Sequence, residues 1–331
     1  MSDLTVGGIW AGAGAGLLGA KMAGFKPIFN VEPRPFVTKA VMSHNFPGIK
    51  FYKEFNPVLD WKLCANLIVG SPDCKVFSNL STKAREKNRE ITKDPFDNDF
   101  IRALTLTYHF LKPEFFIFEN LPNILNFVNF ENNKYSGQAY MYDINKPQIK
   151  TLIKDYSIQV KILNSLDFGV AQSRKRLYLI GSRIKTPEFD MPNITSNRTY
   201  TGLEIMRYGE TVGEALQGAH QQLNSELPKH SSTREEGFRR LEPGDSYYGT
   251  QNNRRLYYDR PSWTVASSCS RFVHPTEPRT LTVRETARLM GWPDGFIFKG
   301  TSGQKLDQVG KSMVPQIPFA IAEYLKSHLD G

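Results

Sequence analysis

The sequence has 331 residues, which is enough for two domains of roughly 150 residues each. Its 40% hydrophobic and 12% aromatic residues exclude a largely disordered protein, and its three cysteines (Cys64, Cys74 and Cys269) exclude a disulfide framework or a four-cysteine zinc site. With 42 Lys and Arg against 33 Asp and Glu, the net charge of +9 suits a polyanionic partner.

Short apolar segments alternate with helical stretches along the first 120 residues. Residues 6–10 predict a first strand, after which glycines at 12, 14, 16 and 19 mark a turn that leads into a helix. Residues 27–31 predict a second strand that ends at Glu32, and the apolar runs 64–69 and 115–118 predict two more. This alternation predicts an α/β fold with a doubly wound, mostly parallel sheet and functional loops at the carboxyl ends of its strands.

The polar segment 79–99 follows one of these strand ends. It is typical of a solvated loop, and its position also fits a lid over a site. The sequence starts without a basic region followed by an apolar one and has no apolar run of about 18 residues. We therefore expect a soluble, cytoplasmic protein with no membrane partner.

The pattern changes from about residue 183 to residue 270. Hydrophobic periodicity weakens, and basic residues alternate with aromatic ones, as in Arg254, Arg255, Tyr257 and Trp263. Such interleaving offers phosphate contacts and stacking surfaces to a nucleic acid, although it also fits Arg stems packed on Tyr in an ordinary small domain. We predict a catalytic and cofactor-binding domain of residues 1–182, completed by 271–331, and a smaller target-recognition domain of residues 183–270.

Several strand ends carry residues with chemical functions. The glycines after the first strand let a ligand approach the backbone, and Glu32 is placed to accept hydrogen bonds from ribose hydroxyls. The glycine spacing is not that of a clean dinucleotide loop and also admits a nucleoside without a pyrophosphate. Cys74 lies in a turn, where a thiol can act as a nucleophile, although a lone cysteine is more often a small buried apolar residue. Glu119 supplies a carboxyl group, and segment 172–176 supplies cations.

Six segments, taken in order, resemble the motifs of the DNA cytosine-5 methyltransferase family. WAGAGAGLLGAKMAGF resembles the S-adenosylmethionine loop, GSPDCKVFS the proline-cysteine loop, and FENLPN the glutamate-asparagine-valine motif, with Leu121 for valine. LNSLDFGVAQSRKR resembles the base-contacting arginine segment, and RTLTVRETARLMGWPDGF and QVGKSMVP resemble the two closing motifs. The similarity covers the chain from Val6 to Leu325 apart from the variable middle stretch, which is where this family reads its target.

The resemblance implies a class I S-adenosylmethionine-dependent methyltransferase fold, a duplex DNA partner, no metal, a monomer, and a bacterial or phage-infected host cell. It implies that Cys74 adds to carbon 6 of a flipped cytosine, that Glu119 protonates the ring nitrogen, and that carbon 5 then takes the alkyl group. Site residues follow from the matching positions. They are Cys74, Glu119, Arg174 and Arg176 for catalysis; Trp10, Ala11, Gly12, Gly14, Glu32, Pro33, Asp73, Lys311 and Ser312 for the cofactor; and Asn120, Lys75, Ser78, Arg254 and Arg255 for the substrate.

The sequence departs from the family pattern near the reacting centre. Asp73 replaces a proline, Lys75 a glutamine and Lys311 an asparagine, and the acid that contacts adenine has no clear counterpart around Lys53 and Glu54. A lysine ammonium about 4 Å from a sulfonium repels it by about 1 to 4 kcal/mol, whereas a carboxylate on the transferred carbon would attract it. Lys311 thus raises the hypothesis of carboxymethyl transfer from carboxy-S-adenosylmethionine. The alternative is ordinary methylation, with Lys311 facing solvent or paired with Asp73.

Two other functions stay open at this point. One branch of the family acts on tRNA, so an RNA cytosine methyltransferase is an alternative that the basic and aromatic insert disfavours. The altered proline-cysteine loop raises the second alternative, a catalytically inactive DNA-binding homologue. The presence of Cys74, Glu119 and Arg176 argues against inactivity.

Overall fold

The computed structural model describes residues 3–54, 63–73, 99–126, 128–129, 142–143, 155–184, 186, 188–189, 208–247, 253–266 and 272–329. Within them, seven strands form one sheet in the order β3-β2-β1-β4-β5-β9-β8. These strands are β1 (Thr5–Ile9), β2 (Lys26–Val31), β3 (Lys50–Tyr52), β4 (Leu67–Gly70), β5 (Phe115–Asn120), β8 (Ser157–Asn164) and β9 (Lys175–Ser182). Strands β1 to β5 pair in parallel, and β9 pairs antiparallel with both β5 and β8. The predicted α/β fold with a mostly parallel sheet is confirmed.

Helices accompany the sheet. They are α1 (Ala15–Met22), α2 (Lys39–Asn45), α3 (Asp99–Thr105), α4 (Val212–Leu216), α5 (Ser232–Arg239), α6 (Val283–Leu289), α7 (Ser302–Gly310) and α8 (Gln316–Lys326). A π-helix, Leu106–Leu111, continues α3, and 3₁₀ helices cover Pro122–Asn126, Ser165–Phe168 and Ala219–Gln221. In the described part of the chain, no helix is both long enough and apolar enough to cross a membrane.

Strand β5 shows why the central strands are continuous apolar runs. Phe115 and Ile117 pack into the core on one side of the sheet with α1 and α8, whereas Phe116 and Phe118 pack into the core on the other side with α3. All six residues of this strand are buried. A parallel sheet with both faces covered needs apolar side chains at every position, so its strands lack the alternating pattern of a one-sided sheet.

The direction of chain progression through the sheet reverses between β1 and β4. From β1 the chain moves outward to β2 and β3, and it then returns to place β4 on the opposite side of β1 and β5 beyond it. Ligands of open α/β sheets bind in the crevice outside the carboxyl ends of strands at such a reversal. Here those ends lead into Trp10 and Ser71, which are joined by a hydrogen bond of 3.1 Å from the Ser71 amide to the Trp10 carbonyl.

Short elements between β9 and α6 lie outside the main sheet. A separate small pair, β6 (Val128–Asn129) and β7 (Tyr142–Asp143), lies earlier in the chain, between β5 and β8. The elements after β9 include strands β10 (Ser246–Tyr247) and β11 (Asn253–Arg254), which pair with each other. Backbone contacts join this region to the main body, because the Ser262 amide donates to Ala171 and the Ser173 amide donates to Ser262. The boundaries at residues 182 and 270 stay a prediction. Most of the predicted loop, residues 79–98, lies outside the described residues, and Asp99 begins α3.

Candidate functional site

The turn after β1 is shaped by backbone that favours glycine. Gly12 and Gly14 have φ angles of 59° and 97°, and Trp10 adopts a φ of 50°, which is unusual for a bulky residue. A Cβ on Gly14 would lie 2.7 Å from the ring of Phe46. The turn leads into α1 without a side-chain cap on its first amides. The buried Trp10 indole nitrogen has no hydrogen-bond partner among the described residues.

Glu32 lies against this turn. Its carboxylate is buried and accepts a hydrogen bond of 2.6 Å from the Gly12 amide. Arg34 also binds it, through both its amide and its guanidinium. Of the other predicted cofactor residues nearby, Ala11 is buried and Pro33 is exposed. The first two strand ends therefore bring a glycine turn and a buried carboxylate together.

The second group of residues surrounds Glu119 at the end of β5. Because Gly70 of β4 pairs with Phe118 of β5, the next residue, Ser71, lies beside Glu119. The Ser71 hydroxyl donates to Glu119 Oε2 at 2.5 Å, and Arg176 Nε lies 3.0 Å from Glu119 Oε1. Arg176 arrives from the opposite side because β9 pairs with β5 on the side away from β4. The carboxylate is thus held by one donor from each neighbouring strand.

Asn120 connects this carboxylate to the proline-cysteine loop. Its side-chain amide donates to the Pro72 carbonyl at 3.5 Å, and its side-chain oxygen accepts from the Leu121 amide at 2.8 Å. The described backbone continues to Asp73. Cys74, Lys75 and Ser78 lie outside the described residues, so their predicted roles are carried by the sequence alone.

A third acidic residue, Asp99, lies near this crevice. Burial raises the pKa of its carboxyl group, Arg102 opposes this shift, and the charges of Asp73 and Glu32 add to it. Sequence reasoning missed Asp99 because it lies at the end of a long polar segment. It also missed Ser71 and Arg34, whose roles depend on strand pairing and on a local loop conformation. The signal for Ser71 was its position beside the predicted loop cysteine.

The guanidinium of Arg174 binds backbone carbonyls of distant segments. It is buried and donates to the carbonyl oxygens of Val265 at 2.7 Å and Ser312 at 3.0 Å, with a longer contact of 3.4 Å to Gly310. These bonds join the start of β9 to the end of α7. The carbonyls that end a helix need donors, and Arg174 supplies one here. Its predicted catalytic role stays a prediction.

The motif at the end of α7 also uses its side chains within the protein. Lys311 Nζ lies 2.9 Å from Asp307 Oδ2 and 4.5 Å from the centre of the Phe36 ring. The predicted alternative pairing with Asp73 is replaced by this pair, which joins residues four apart at the end of the helix. The Ser312 hydroxyl donates to Val309 and accepts from the Trp292 indole. Neither side chain is shown contacting the glycine turn.

The two predicted substrate arginines differ in exposure. Arg254 is exposed and stacks on Trp263, with its guanidinium carbon 4.6 Å from the ring centre. Arg255 is buried and donates to the carbonyls of Phe238, His274 and Pro275. Its guanidinium thus binds backbone of the protein itself, and its predicted substrate contact stays a prediction. Packing of an arginine on an aromatic ring, which the interpretation as an ordinary small domain predicts, is thus present at the exposed Arg254.

Comparisons with known proteins agree with this arrangement. The model of the family described as "C-5 cytosine-specific DNA methylase" matches residues 4–327. The chain belongs to that family. It is 30% identical to the type II methyltransferase M1.HphI of Haemophilus parahaemolyticus, covering 97% of this chain and 86% of the relative. It is 28% identical to the type II methyltransferase M.DdeI of Desulfomicrobium norvegicum, covering 98% and 88%.

Solved structures show the same fold as this family member. A DNA modification methyltransferase encoded within an E. coli prophage matches with a TM-score of 0.69 at 23% identity, covering 99% of this chain and 100% of the other. The Dnmt2 methyltransferase of S. pombe matches with a TM-score of 0.62 at 15% identity, covering 99% and 100%. The predicted family resemblance is confirmed. Separately, within the described residues no group of three or more His, Cys, Asp or Glu could hold a metal ion.

Proposed function

We propose that this methylase transfers a methyl group to carbon 5 of a cytosine in duplex DNA, as part of a bacterial or phage modification system. The observation that carries the proposal is the Glu119 carboxylate, fixed by Ser71 and Arg176 at the carboxyl edge of the sheet. In the sequence, Cys74 follows the adjacent strand end by a few residues. A nucleophile and an acid on neighbouring strand ends can act on two atoms of one flipped ring.

Carbon 5 of cytosine is too weakly nucleophilic to accept an alkyl group without activation. The Cys74 thiolate forms a bond to carbon 6, and Glu119 delivers a proton to the ring nitrogen that receives the displaced electron pair. The resulting enamine makes carbon 5 nucleophilic. After transfer, a base removes the proton from carbon 5 and the bond from sulfur to carbon 6 breaks, so that the cysteine is regenerated. Arg176 holds Glu119 in the position that this proton transfer needs.

The residues around the glycine turn fit S-adenosylmethionine, which supplies the electrophilic methyl group when bound. Gly12 and Gly14 leave room for close approach to the backbone, Glu32 provides acceptors for ribose hydroxyls, and the Trp10 indole nitrogen is a donor without a partner among the described residues. We propose that these residues and Asp73 line the cofactor site. No metal is part of the proposed mechanism.

Lys311 supports methyl transfer over carboxymethyl transfer. The carboxylated cofactor would need an ammonium group that lacks a closer anionic partner. Lys311 instead pairs with Asp307 at 2.9 Å, and both side chains are only partly exposed. The charge that motivated the carboxymethyl hypothesis is therefore balanced within α7.

Duplex DNA is the proposed partner. The family is named for DNA, and the exposed Arg254 and Arg260 present guanidinium groups stacked on Trp263 and Tyr257. Charged groups held on rings fit phosphate contact at little conformational cost. We propose a monomer acting in the cytoplasm of a bacterial or phage-infected cell.

The deciding experiment identifies the modified nucleoside. Purified protein is incubated with duplex DNA or tRNA and with S-adenosylmethionine or its carboxylated form, and digested nucleosides are analysed by mass spectrometry. We expect 5-methylcytosine in DNA, and loss of the product in the Cys74→Ser and Glu119→Gln variants. If the product forms only in tRNA, the substrate is tRNA and not DNA. If 5-carboxymethylcytosine forms, the carboxymethyl hypothesis is correct and the methyl proposal is wrong. Failure to capture 5-fluorocytosine DNA covalently would favour an inactive DNA-binding protein.

A further inference from the structure

The guanidinium of Arg34 lies across the carboxylate of Glu32. Arg34 Nε donates to Oε1 at 2.6 Å, and Nη2 donates to Oε2 at 2.6 Å, so the two groups form a bidentate pair. Nη2 also donates to the Trp10 carbonyl at 2.6 Å. The Glu32 side chain is fully buried and that of Arg34 is 17% exposed. The partly exposed arginine therefore covers the buried carboxylate.

These contacts use the whole acceptor capacity of Glu32. A carboxylate offers about four lone-pair positions. Four protein donors occupy them, namely the Gly12 amide, the Arg34 amide, Arg34 Nε and Arg34 Nη2. The two amides belong to the fixed backbone of the site. The two guanidinium donors belong to a side chain that rotation about its own bonds can remove.

We propose that Arg34 is an internal competitor of the cofactor, which occupies the ribose-binding positions of Glu32 and must swing away before the cofactor binds. The inference rests on the proposed function, because it takes Glu32 as the ribose-binding acid. A ribose has two neighbouring hydroxyls, and they need the two acceptor positions that Nε and Nη2 hold. Arg34 thereby sets the affinity for the cofactor without touching the reacting atoms.

The residues around Arg34 allow its side chain to move away from Glu32, into what we call the open position. Its neighbours Pro33 and Pro35 are exposed and restrict the backbone, so the movement is confined to the side chain. The guanidinium carbon already lies 5.7 Å from the ring centre of Phe36, a partly buried aromatic surface on which a displaced guanidinium can stack. The cost of opening is the loss of a buried ion pair, which the cofactor hydroxyls only partly replace.

The test is calorimetric binding of S-adenosylmethionine and S-adenosylhomocysteine to the wild type, Arg34→Ala and Arg34→Lys. We expect Arg34→Ala to bind both ligands more tightly; an open population of about one tenth in the wild type would make the gain about tenfold. Arg34→Lys keeps the charge but cannot span both oxygens, and we expect an intermediate affinity. Unchanged or weaker binding by Arg34→Ala overturns the proposal, because it means that Arg34 supports the bound state.

Arg102→Ala is the matched control for charge. Arg102 lies over the Trp10 ring at 5.7 Å and its side chain is 55% exposed, so its removal also takes a positive charge from the neighbourhood of the cationic cofactor. If Arg102→Ala tightens binding as much as Arg34→Ala, general electrostatics explains the effect and the competitor model is wrong. We expect a change of less than about twofold for Arg102→Ala, as for most exposed charges.

Two further measurements separate this inference from the proposed function. Thermal unfolding of Arg34→Ala without ligand should occur at a lower temperature than in the wild type, because Glu32 loses its charged partner, while the ligand-induced rise should be larger. In a Glu32→Ala background, the Arg34→Ala gain should vanish. If Glu32→Ala binds the cofactor weakly and Arg34→Ala shows no gain in affinity, only the proposal that Arg34 competes with the cofactor is wrong. If Glu32→Ala binds the cofactor as tightly as the wild type, the proposed role of Glu32 in the cofactor site is wrong.

Discussion

At the scale of single residues, similar side chains in one motif have different roles. Arg174 and Arg176 lie two positions apart at the start of β9, yet Arg176 pairs with Glu119 while Arg174 donates to the carbonyls of Val265 and Ser312. Strand alternation puts residues two positions apart on the same face, so the two arginines differ only in the partners that their guanidinium groups meet. One arginine thus belongs to the proposed catalytic group, and the other holds distant segments together.

Ser71 is the residue whose importance emerges from its contact with Glu119. We expect Ser71→Ala to lower kcat by about 10- to 100-fold with little change in the KM for DNA, because a hydrogen bond to a charged group contributes about 1.5 to 3 kcal/mol. Steady-state kinetics on duplex DNA measures this. The bond is 2.5 Å long and buried, so water cannot readily substitute for the hydroxyl.

Two controls accompany Ser71→Ala. Ser262 is also buried, and its hydroxyl has no hydrogen-bond partner among the described residues, so Ser262→Ala should leave kcat unchanged. Ser71→Thr keeps a hydroxyl and should recover part of the rate. An unaltered kcat in Ser71→Ala would show that Arg176 alone positions Glu119.

At the scale of elements, the carboxyl ends of four strands converge on one crevice, and each end carries different residues. β1 continues into a glycine turn, β2 into Glu32, β4 into Ser71 and Pro72, and β5 ends with Glu119 and Asn120. The parallel register makes these ends level with one another. The glycine turn, Ser71 and Glu119 are therefore close in space although they are far apart in the chain.

Gly14 tests how tightly the turn is packed against α2. Its φ of 97° disfavours any side chain, and a Cβ would lie 2.7 Å from Phe46. We expect Gly14→Ala to lower the free energy of unfolding by about 2 to 4 kcal/mol, from backbone strain and overpacking together. Chemical denaturation measures the loss.

Gly48→Ala is the matched control. Gly48 has a similar φ of 83°, and nothing lies within 4 Å of a Cβ placed there. Its substitution should therefore cost only the strain, about 1 kcal/mol. Equal losses at the two sites would mean that packing against Phe46 contributes nothing.

At the scale of the whole molecule, ion pairs and buried arginines hold separate segments of the last third of the chain together. Arg284 is fully buried and donates to the carbonyls of Leu223, Pro293 and Phe296, while Arg279 binds Glu277 and Glu285. His274 lies within the second group, and burial is the main cause of its lowered pKa. Glu285 and Glu277 oppose that shift, while Arg279 and Arg255 reinforce it.

This environment predicts a pH dependence of stability. Because the folded state lowers the pKa of His274, the unfolded chain binds its proton first as the pH falls below about 6.5, the ordinary value for histidine. The stabilisation is complete above that pH and is lost as the pH falls toward the lower folded value. Urea denaturation between pH 7.5 and pH 5.5 should show a declining free energy of unfolding.

The variant His274→Asn isolates this contribution. The Asn side-chain oxygen can accept from the amides of Thr276 and Glu277, as His274 Nδ1 does, but it does not titrate. The decline should be shallower in the variant. A slope equal to that of the wild type would assign the effect to other groups.

Much of the fold and part of the site could be predicted from the sequence. Central strands covered on both faces are continuous apolar runs, and glycines and carboxylates at strand ends mark a ligand crevice, because these patterns depend on neighbours in the chain. The strand formed by Phe115–Asn120 was predictable for that reason. The family also followed from motifs that the sequence carries in order.

Tertiary structure alone decided which side chains are available. Arg174 and Arg255 donate inward, Lys311 pairs with Asp307, and Arg34 covers Glu32. The sequence of a motif is the same whether its charged side chain faces a ligand or a backbone carbonyl. The choice is made by donors and acceptors from remote segments, such as Val265 beside Arg174, and burial requires that every such group be satisfied. Local sequence therefore determines the elements and their chemistry, and three-dimensional packing determines which of those groups remain free to act.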